Sequence, residues 1–487
     1  MTQTPLPMLD GTIIAAPHVD RKLAGDMGTL QLVFAVLSYN APLGVLATVV
    51  ALVIGYGIGL GAPLLFIVLG LLMALFAVGY TAMSRHLPNP GAFYSYITAG
   101  LGRPLGLGGS FVAMLSYTLA MISMLIFASL ALASLVQDTL HGPAVAWWVW
   151  ALAFIAIVGV LGYRRVDVSA RVLGILLGLE VLIVLAWEVC VFAAGGDGGS
   201  LTYSSFDPQV ALGGGVAVGM IFAISCFGGF EATAIFRDEV RDPVRTVPRA
   251  TYLAIGFLTV FYAAGSWALI QALGESKAVG AIAEHPTTAF FDMVSRYLGA
   301  TGYHLVTVLI ISSAFAGLMA YHNVLSRYLF SLGVDGILPQ AVGVAHPRLK
   351  SPHRASLSLS IATAVYVLGV VLTQASPTEV YIQLIGVAGY SFIILFVLAA
   401  IGIAAYLART EVAGLSVWQR YAAPGAAAVL MTVIGIIATS KIDLLTNSPS
   451  LSAISLDVTY GAVLAGIVLA LLFRTFRPEV FARIGRQ

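Results

Sequence analysis

Charge is the scarcest thing in this chain. Of its 487 residues only 9% are Asp, Glu, Lys or Arg, where a soluble domain carries about 25%. That excludes a freely soluble protein. Cysteine is nearly absent as well. Cys190 and Cys226 both lie in apolar stretches, so neither a disulfide framework nor a thiolate metal cluster is expected. The eight His are scattered, mainly in loops and tails, and they suggest no ligand set for a metal and no cofactor. A Gly-x-Ser-x-Gly elbow and a Walker-type glycine loop are both missing, which sets a membrane enzyme aside. A channel would need charged rings or a repeated filter, and neither is present. Nor is there a cleavable signal peptide. Residues 1–25 hold Pro, Asp and His instead of an apolar core and read as a polar tail.

What is abundant is apolar surface: 59% of residues are hydrophobic and the mean hydropathy is +0.96. Runs long enough to span a bilayer, roughly 20 residues each, fall near 30–56, 62–83, 106–136, 146–162, 170–194, 211–237, 250–273, 301–330, 355–374, 379–407, 421–440 and 456–474. They predict twelve helices. An amphipathic stretch, His285 to Arg296, reads as a separate helix on the outer face before the eighth. Every Lys and Arg except Lys277, Arg296 and Lys441 falls on one side under this topology. By the positive-inside rule both termini are cytoplasmic, in a cell (inner) membrane. The basic residues follow topology and not one face, so no nucleic-acid partner is expected. The longest polar stretch, 331–354, is a loop, leaving no room for a soluble domain. The chain divides into a tail (1–25), a core of ten helices (26–407), two further helices (408–475) and a second tail (476–487).

Two of the apolar runs are interrupted. The first carries Ser38-Tyr39-Asn40-Ala41-Pro42-Leu43-Gly44, and proline removes a backbone donor and clashes with the preceding turn. The sixth carries Ser225-Cys226-Phe227-Gly228-Gly229-Phe230-Glu231. Glycine weakens a helix interior by ~1 kcal/mol, and a carboxylate at membrane depth faces an interior or a wet cavity. Five helices separate the interruptions, so they occupy matching places in two halves, about 30–195 and 211–407. An odd-numbered repeat must be inverted in the membrane. Such a pair of interrupted helices points to a transporter's midplane site.

The residues around the second interruption, Gly229-Phe230-Glu231, Asp238-Glu239, Asp242-Pro243, Arg245 and Val247-Pro248-Arg249-Ala250, resemble the sixth-helix signature of the amino acid–polyamine–organocation transporters. Arg85-His86-Leu87-Pro88-Asn89-Pro90-Gly91-Ala92-Phe93-Tyr94-Ser95-Tyr96 resembles the loop after their second helix, with its Pro-x-x-Gly-x-x-Tyr pattern. The resemblance covers roughly residues 20 to 480. It implies an all-α LeuT-like fold, with helices 1–5 and 6–10 as inverted repeats and two helices appended. It also implies secondary transport of amino acids or amines, often proton-coupled. The sequence departs from the family in three places: the first interruption, a Ser at position 225 where relatives place a gating aromatic, and Glu180 where some relatives carry a proton-handling Lys. Phe222 or Phe227 would stand in for that aromatic.

A broken helix leaves free N–H groups at the start of its second half, with a partial positive charge. The half beginning at Gly228–Glu231 is expected to hold a carboxylate; the break from Tyr39 to Gly44 does likewise or offers carbonyls to an ammonium group. A zwitterion fits between such poles. Ser38, Tyr39, Asn40, Ala41, Gly44, Tyr117, Ser225, Cys226, Phe227, Gly228, Gly229 and Glu231 are the candidate substrate residues. Asn40 binds substrate or caps the break, and Tyr117 faces the site or packs elsewhere. Phe227 and Phe230 cover the substrate or fill core. Tyr381 and Gln383 belong to an outer gate or to the interface. Glu231 is the candidate proton carrier and Glu180 the second; Glu188 lies nearer the outer end. Ser312 and Ser313 would supply hydroxyls to a sodium site of the LeuT type, or serve as packing glue. Arg237 to Arg245 reads as an ion-pair network near the inner gate, or as a solvated loop. The expected partners are a small amino acid (or an amine), protons or sodium, and lipid, with the protein a monomer or homodimer.

Overall fold

The computed structural model describes residues 27–87, 92–164, 170–211, 215–349, 351–411, 414–443 and 449–485. The expected first tail, Arg21 and Lys22 included, and Pro88 to Gly91 of the second-helix loop therefore lie outside the described residues, as do the side chains of Tyr39, Asp238 and Glu239. Among the described residues the only pairing of β type is an isolated bridge, Met27 to Val240. The rest is helix and connection.

The first interruption comes where its proline requires it. Helix α1 (Thr29–Asn40) stops at Ala41, which sits in the left-handed region (φ 49°, ψ 63°), and α2 (Pro42–Val45) restarts with proline at its first position. The restarted segment runs to Gly57, bent by 40° from the first. A left-handed alanine costs roughly 1–2 kcal/mol, so the surrounding packing must hold it. Five helices follow: α3 (Ala62–His86), α4 (Ala92–Leu101), α5 (Arg103–Ser134), α6 (Trp147–Tyr163) and α7 (Ala170–Ala193). After the short α8 (Pro208–Ala211), α9 (Val216–Ser225) ends in turns over 226–231, and α10 (Ala232–Ile235) is a single turn. Gly229 has φ 98°, a conformation essentially reserved for glycine.

After this second interruption come α11 (Pro243–Leu273), α12 (Glu275–Glu284) and α13 (Ala289–Val334). Gly299 breaks α13 with φ 69° and ψ −173°, separating 289–298 from the long span that follows. Then come α14 (His353–Thr373), α15 (Pro377–Arg409), α16 (Ala423–Ser440), α17 (Pro449–Phe476) and α18 (Pro478–Arg483). Proline at the first or second position of α3, α5, α11, α15 and α16 uses a site where the missing N–H has no helical acceptor anyway.

Among the described residues nine helices are long and apolar enough to cross a membrane, or ten if the bent α1–α2 pair is one span. The twelve expected from the sequence include two segments that fall short of this. Helix α6 has 17 residues and α9 has 10. At 1.5 Å per residue, α6 reaches about 26 Å against a hydrocarbon core of about 30 Å. Helix α9 is short because the Gly228-Gly229 turns end it.

Helix α15 packs along α5 and also crosses α9; α11 runs against α3; α1 lies between α11 and α7. Small residues allow the closest crossings. At Gly389 of α15 a Cβ would stand 2.1 Å from the Ile221 carbonyl oxygen of α9. Gly389→Ala must therefore push the two helices apart, at a cost on the order of 1–3 kcal/mol. The purified variant is expected to melt several degrees below wild type; an unchanged melting temperature would refute this packing.

On one face the connection after α7 is strapped down. Asp197 forms ion pairs with Lys277 (3.0 Å) and Arg296 (2.8 Å), and its backbone N–H donates to the Gln271 carbonyl. The Lys277 and Arg296 contacts hold the Asp197 carboxyl below the usual carboxylate range. A depressed carboxylate contributes stability above its ordinary pKa and loses it as pH falls through the lowered one, so this strap weakens only in acid. Lys277 and Arg296 are also two of the three basic residues that the positive-inside reading of the sequence sets on the opposite side from the rest.

Candidate functional site

The two interruptions meet. Asn40, the last residue of α1, is 4% exposed. Its Nδ2 donates to the carbonyls of Cys226 (2.7 Å) and Gly228 (2.9 Å), and its Oδ1 accepts from the Tyr262 hydroxyl (2.5 Å). One side chain thus satisfies two carbonyls that the break in the sixth span leaves without helical partners and ties them to α11. The remaining turns close on themselves: Cys226, Phe227 and Gly228 donate to Ala223, Ile224 and Ser225.

Glu231 completes that break. Its Oε2 accepts from the Gly229 N–H (2.9 Å), its Oε1 accepts from the Tyr117 hydroxyl, and its own carbonyl accepts from Tyr80 (2.8 Å). Glu231 therefore fills, from within the chain, the anion position that the sequence suggested for a substrate. A carboxyl stands at the first break too. Glu180 of α7 lies beside the backbone N–H of Leu43 and the hydroxyl of Ser313, while its Oε2 has no hydrogen-bond partner. Each restarted helix thus has a buried carboxyl at its positive end.

A cavity of ≈ 590 Å³, part of it open to solvent, lies beside the first break. Asn40, Ala41, Gly44 and Ser225 line it. Its walls come from Val45 of α2 and Thr48 and Val49 just after it, from Ala120, Ser123, Met124 and Phe127 on α5, from Ala314 and Tyr321 on α13, and from Tyr381, Ile385 and Phe392 on α15. No Asp, Glu, Lys or Arg is among them. Gly44 belongs to the first turn of the restarted helix, whose N–H groups have no partner inside the helix. A Cβ there would meet nothing within 4 Å, so the backbone faces open space.

Several sequence candidates stand elsewhere. Ser38 donates to Phe34 (2.7 Å) and lines a separate small void with Pro42, Glu180 and Ser313. Tyr117, Cys226, Phe227, Gly228, Gly229 and Glu231 are around the breaks but do not line the main cavity. Ser312 donates to Leu309 of its own helix, at 2.8 Å. Phe222 and Phe227 are fully buried and do not replace the missing aromatic at 225; Phe127, Tyr321, Tyr381 and Phe392 provide aromatic walls instead. Phe230 joins Phe76, Tyr80, Phe93 and Phe396 in a plug with ring centroids 5.6 to 6.2 Å apart. Glu188 is 6% exposed and takes no part in either cavity. The contacts of the arginine-rich segment include an Asp242–Arg245 pair at 3.8 Å, both partners half exposed or more, and Arg241 N–H on the Met27 carbonyl.

Long apolar helices, two of them broken at the edge of an uncharged cavity, define an integral membrane protein of the transporter class. The chain belongs to the amino acid permease family, whose model matches residues 27–440, within the amino acid–polyamine–organocation superfamily. It is 23% identical over 370 residues to the branched-chain amino acid permease BcaP of Bacillus subtilis (71% of this chain, 74% of the relative). It is 25% identical over 293 residues to the low-affinity putrescine importer PlaP of Escherichia coli K12 (57% and 62%). It is 28% identical over 231 residues to an uncharacterized transporter of Mycobacterium tuberculosis (45% and 50%). With that last relative and others like it, the match spans about half the relative's length.

Proposed function

We propose that the protein is a secondary transporter that imports a small neutral amino acid together with protons, by alternating access, on a twelve-span scaffold of two inverted five-helix repeats. The observation that carries this reading is the cavity at the first break. No Asp, Glu, Lys or Arg lines it, and it is bordered by the bare backbone of Gly44. A substrate carboxylate suits the N–H groups of that first turn and the helix dipole behind them. The ammonium group then faces the carbonyls at the end of α1. A dicationic amine would need carboxylates on the wall, and the lining has none, so the amine reading is the weaker one despite the similarity to a putrescine importer.

Proton coupling rests on Glu231 and Glu180, the carboxyls at the two restarted helices. A sodium-coupled variant has one observation in its favour: Glu180 shares its small void with the Ser38 and Ser313 side chains. With the termini cytoplasmic, the cavity lies on the outer side of the break, while the Phe76–Phe396 plug and the Met27–Val240 bridge close the inner side.

The test is uptake by the protein reconstituted in liposomes. A pH gradient, acid outside, is expected to drive accumulation of a neutral amino acid, and a sodium gradient alone is not. Gly44→Ala should fold normally, since its Cβ meets open space, yet raise the half-saturating concentration about tenfold (roughly 1.4 kcal/mol). Accumulation that ignores both gradients, or a Gly44→Ala protein with unchanged affinity, would overturn the assignment.

A further inference from the structure

The polar groups on the cavity wall can be assigned one by one. Thr48 donates to the Gly44 carbonyl (2.7 Å), Ser225 to Phe222 (2.6 Å) and Ser123 to the Tyr381 carbonyl (3.2 Å). Asn40 is saturated by Cys226, Gly228 and Tyr262, and Tyr321 is engaged as well. The hydroxyl of Tyr381 is different. The residue is 2% exposed, and its hydroxyl is buried without a hydrogen-bond partner. Thr48 stands beside it, but its oxygen is not placed to accept the Tyr381 hydrogen. The Tyr381 ring packs on Phe127 with centroids 6.0 Å apart, and Met124, Val49 and Ile385 complete an apolar wall around it.

A buried hydroxyl left unsatisfied costs about 1–3 kcal/mol. A ligand that accepts its hydrogen bond recovers that cost, and a ligand of the same shape without an acceptor does not. We propose that Tyr381 determines side-chain specificity by donating a hydrogen bond to a hydroxyl oxygen carried on an otherwise apolar substrate side chain. The favoured substrates are thus hydroxyl-bearing neutral amino acids in preference to their hydrocarbon isosteres. This rests on the amino acid reading of the same cavity.

Ligand-induced thermal stabilisation of the purified full-length protein tests it with paired amino acids: threonine against valine, serine against alanine, tyrosine against phenylalanine. In wild type the hydroxyl-bearing member of the best-binding pair should bind about tenfold more tightly. In Tyr381→Phe that preference should vanish while the isostere binds as before. Without ligand, Tyr381→Phe should melt at the wild-type temperature or above it, because it removes only an unpartnered hydroxyl. Amino acids that stabilise wild type with no hydroxyl preference, or a preference that survives in Tyr381→Phe, would overturn the inference and leave the transport reading standing. A marked loss of unliganded stability would mean that the hydroxyl has an internal partner, and would also overturn it. If no amino acid stabilises the protein, the underlying reading fails first.

Discussion

Glu231→Gln is expected to lower uptake driven by a pH gradient at least about a hundredfold, the equivalent of about 2.7 kcal/mol, and to abolish its pH dependence. Both carboxyl oxygens of Glu231 act as acceptors, one for Tyr117 and one for the Gly229 N–H. Glutamine offers one oxygen and one NH₂ in the same space. If the NH₂ faces the Gly229 N–H, two buried donors meet, at a cost of about 1–3 kcal/mol; if it faces Tyr117, the tyrosine hydroxyl must turn to accept and its hydrogen loses the Glu231 acceptor. The break in the sixth span would be looser, and the group proposed to carry the proton would be gone. The Tyr80 bond goes to the Glu231 carbonyl and survives, so the protein should still fold and melt only a few degrees lower. Tyr117→Phe separates the two effects. It removes one donor but keeps the carboxyl, so uptake should fall about tenfold and stay pH-dependent. Liposome uptake across a series of external pH values makes the measurement. A glutamine variant that still accumulates substrate in response to acid would remove Glu231 from the coupling scheme.

The breaks were legible because they are written in backbone chemistry. Pro42 cannot continue a helix, and only glycine accepts the φ of 98° at position 229. From these followed Asn40, Ala41, Gly44 and Ser225 as neighbours of a cavity. The direction of the Glu231 carboxyl was not legible. Its sequence neighbours do not reveal Tyr117, 114 positions away, and so the pole it fills was first assigned to the substrate. The opposite wall was harder still. In a soluble helix, alternation of polar and apolar residues marks the inner face. In α5 and α15 both faces are apolar, one against lipid and one against protein, so nothing in the pattern distinguishes Met124, Phe127, Ile385 and Phe392 from residues facing the bilayer. A faint signal existed: Ser123 and Phe127, and Tyr381 and Ile385, are each four residues apart and so share a helix face. The short reach of α6 and α9 was hidden for a related reason, since hydropathy reports composition and not where a helix ends.

Asn40→Ala is expected to have the largest structural effect of any single truncation at the site. It removes three hydrogen bonds together, leaving the Cys226 and Gly228 carbonyls and the Tyr262 hydroxyl without the partner they share. Each is buried, and an abandoned buried polar group costs about 1–3 kcal/mol. The total falls below the simple sum, because three groups on one partner are coupled and a water can enter the space left by the amide. A loss of about 3 kcal/mol is the reasonable expectation, seen as a fall in melting temperature several times that of Tyr117→Phe. Uptake should be lost at temperatures where the protein is still folded, because the ends of α1 and α9 are no longer held at a fixed distance and the cavity between them loses its shape. Asn40→Asp sharpens the test. The acid keeps one oxygen as acceptor for Tyr262, but its other oxygen, in the place of Nδ2, faces the two carbonyls, so acceptor meets acceptor. Protonating the aspartate restores a donor to one of them. The aspartate variant should therefore be the less stable of the two at neutral pH and recover part of the difference in acid, whereas alanine shows no such recovery. Equal stability of alanine and wild type would mean that the two broken spans are held together by something other than this side chain.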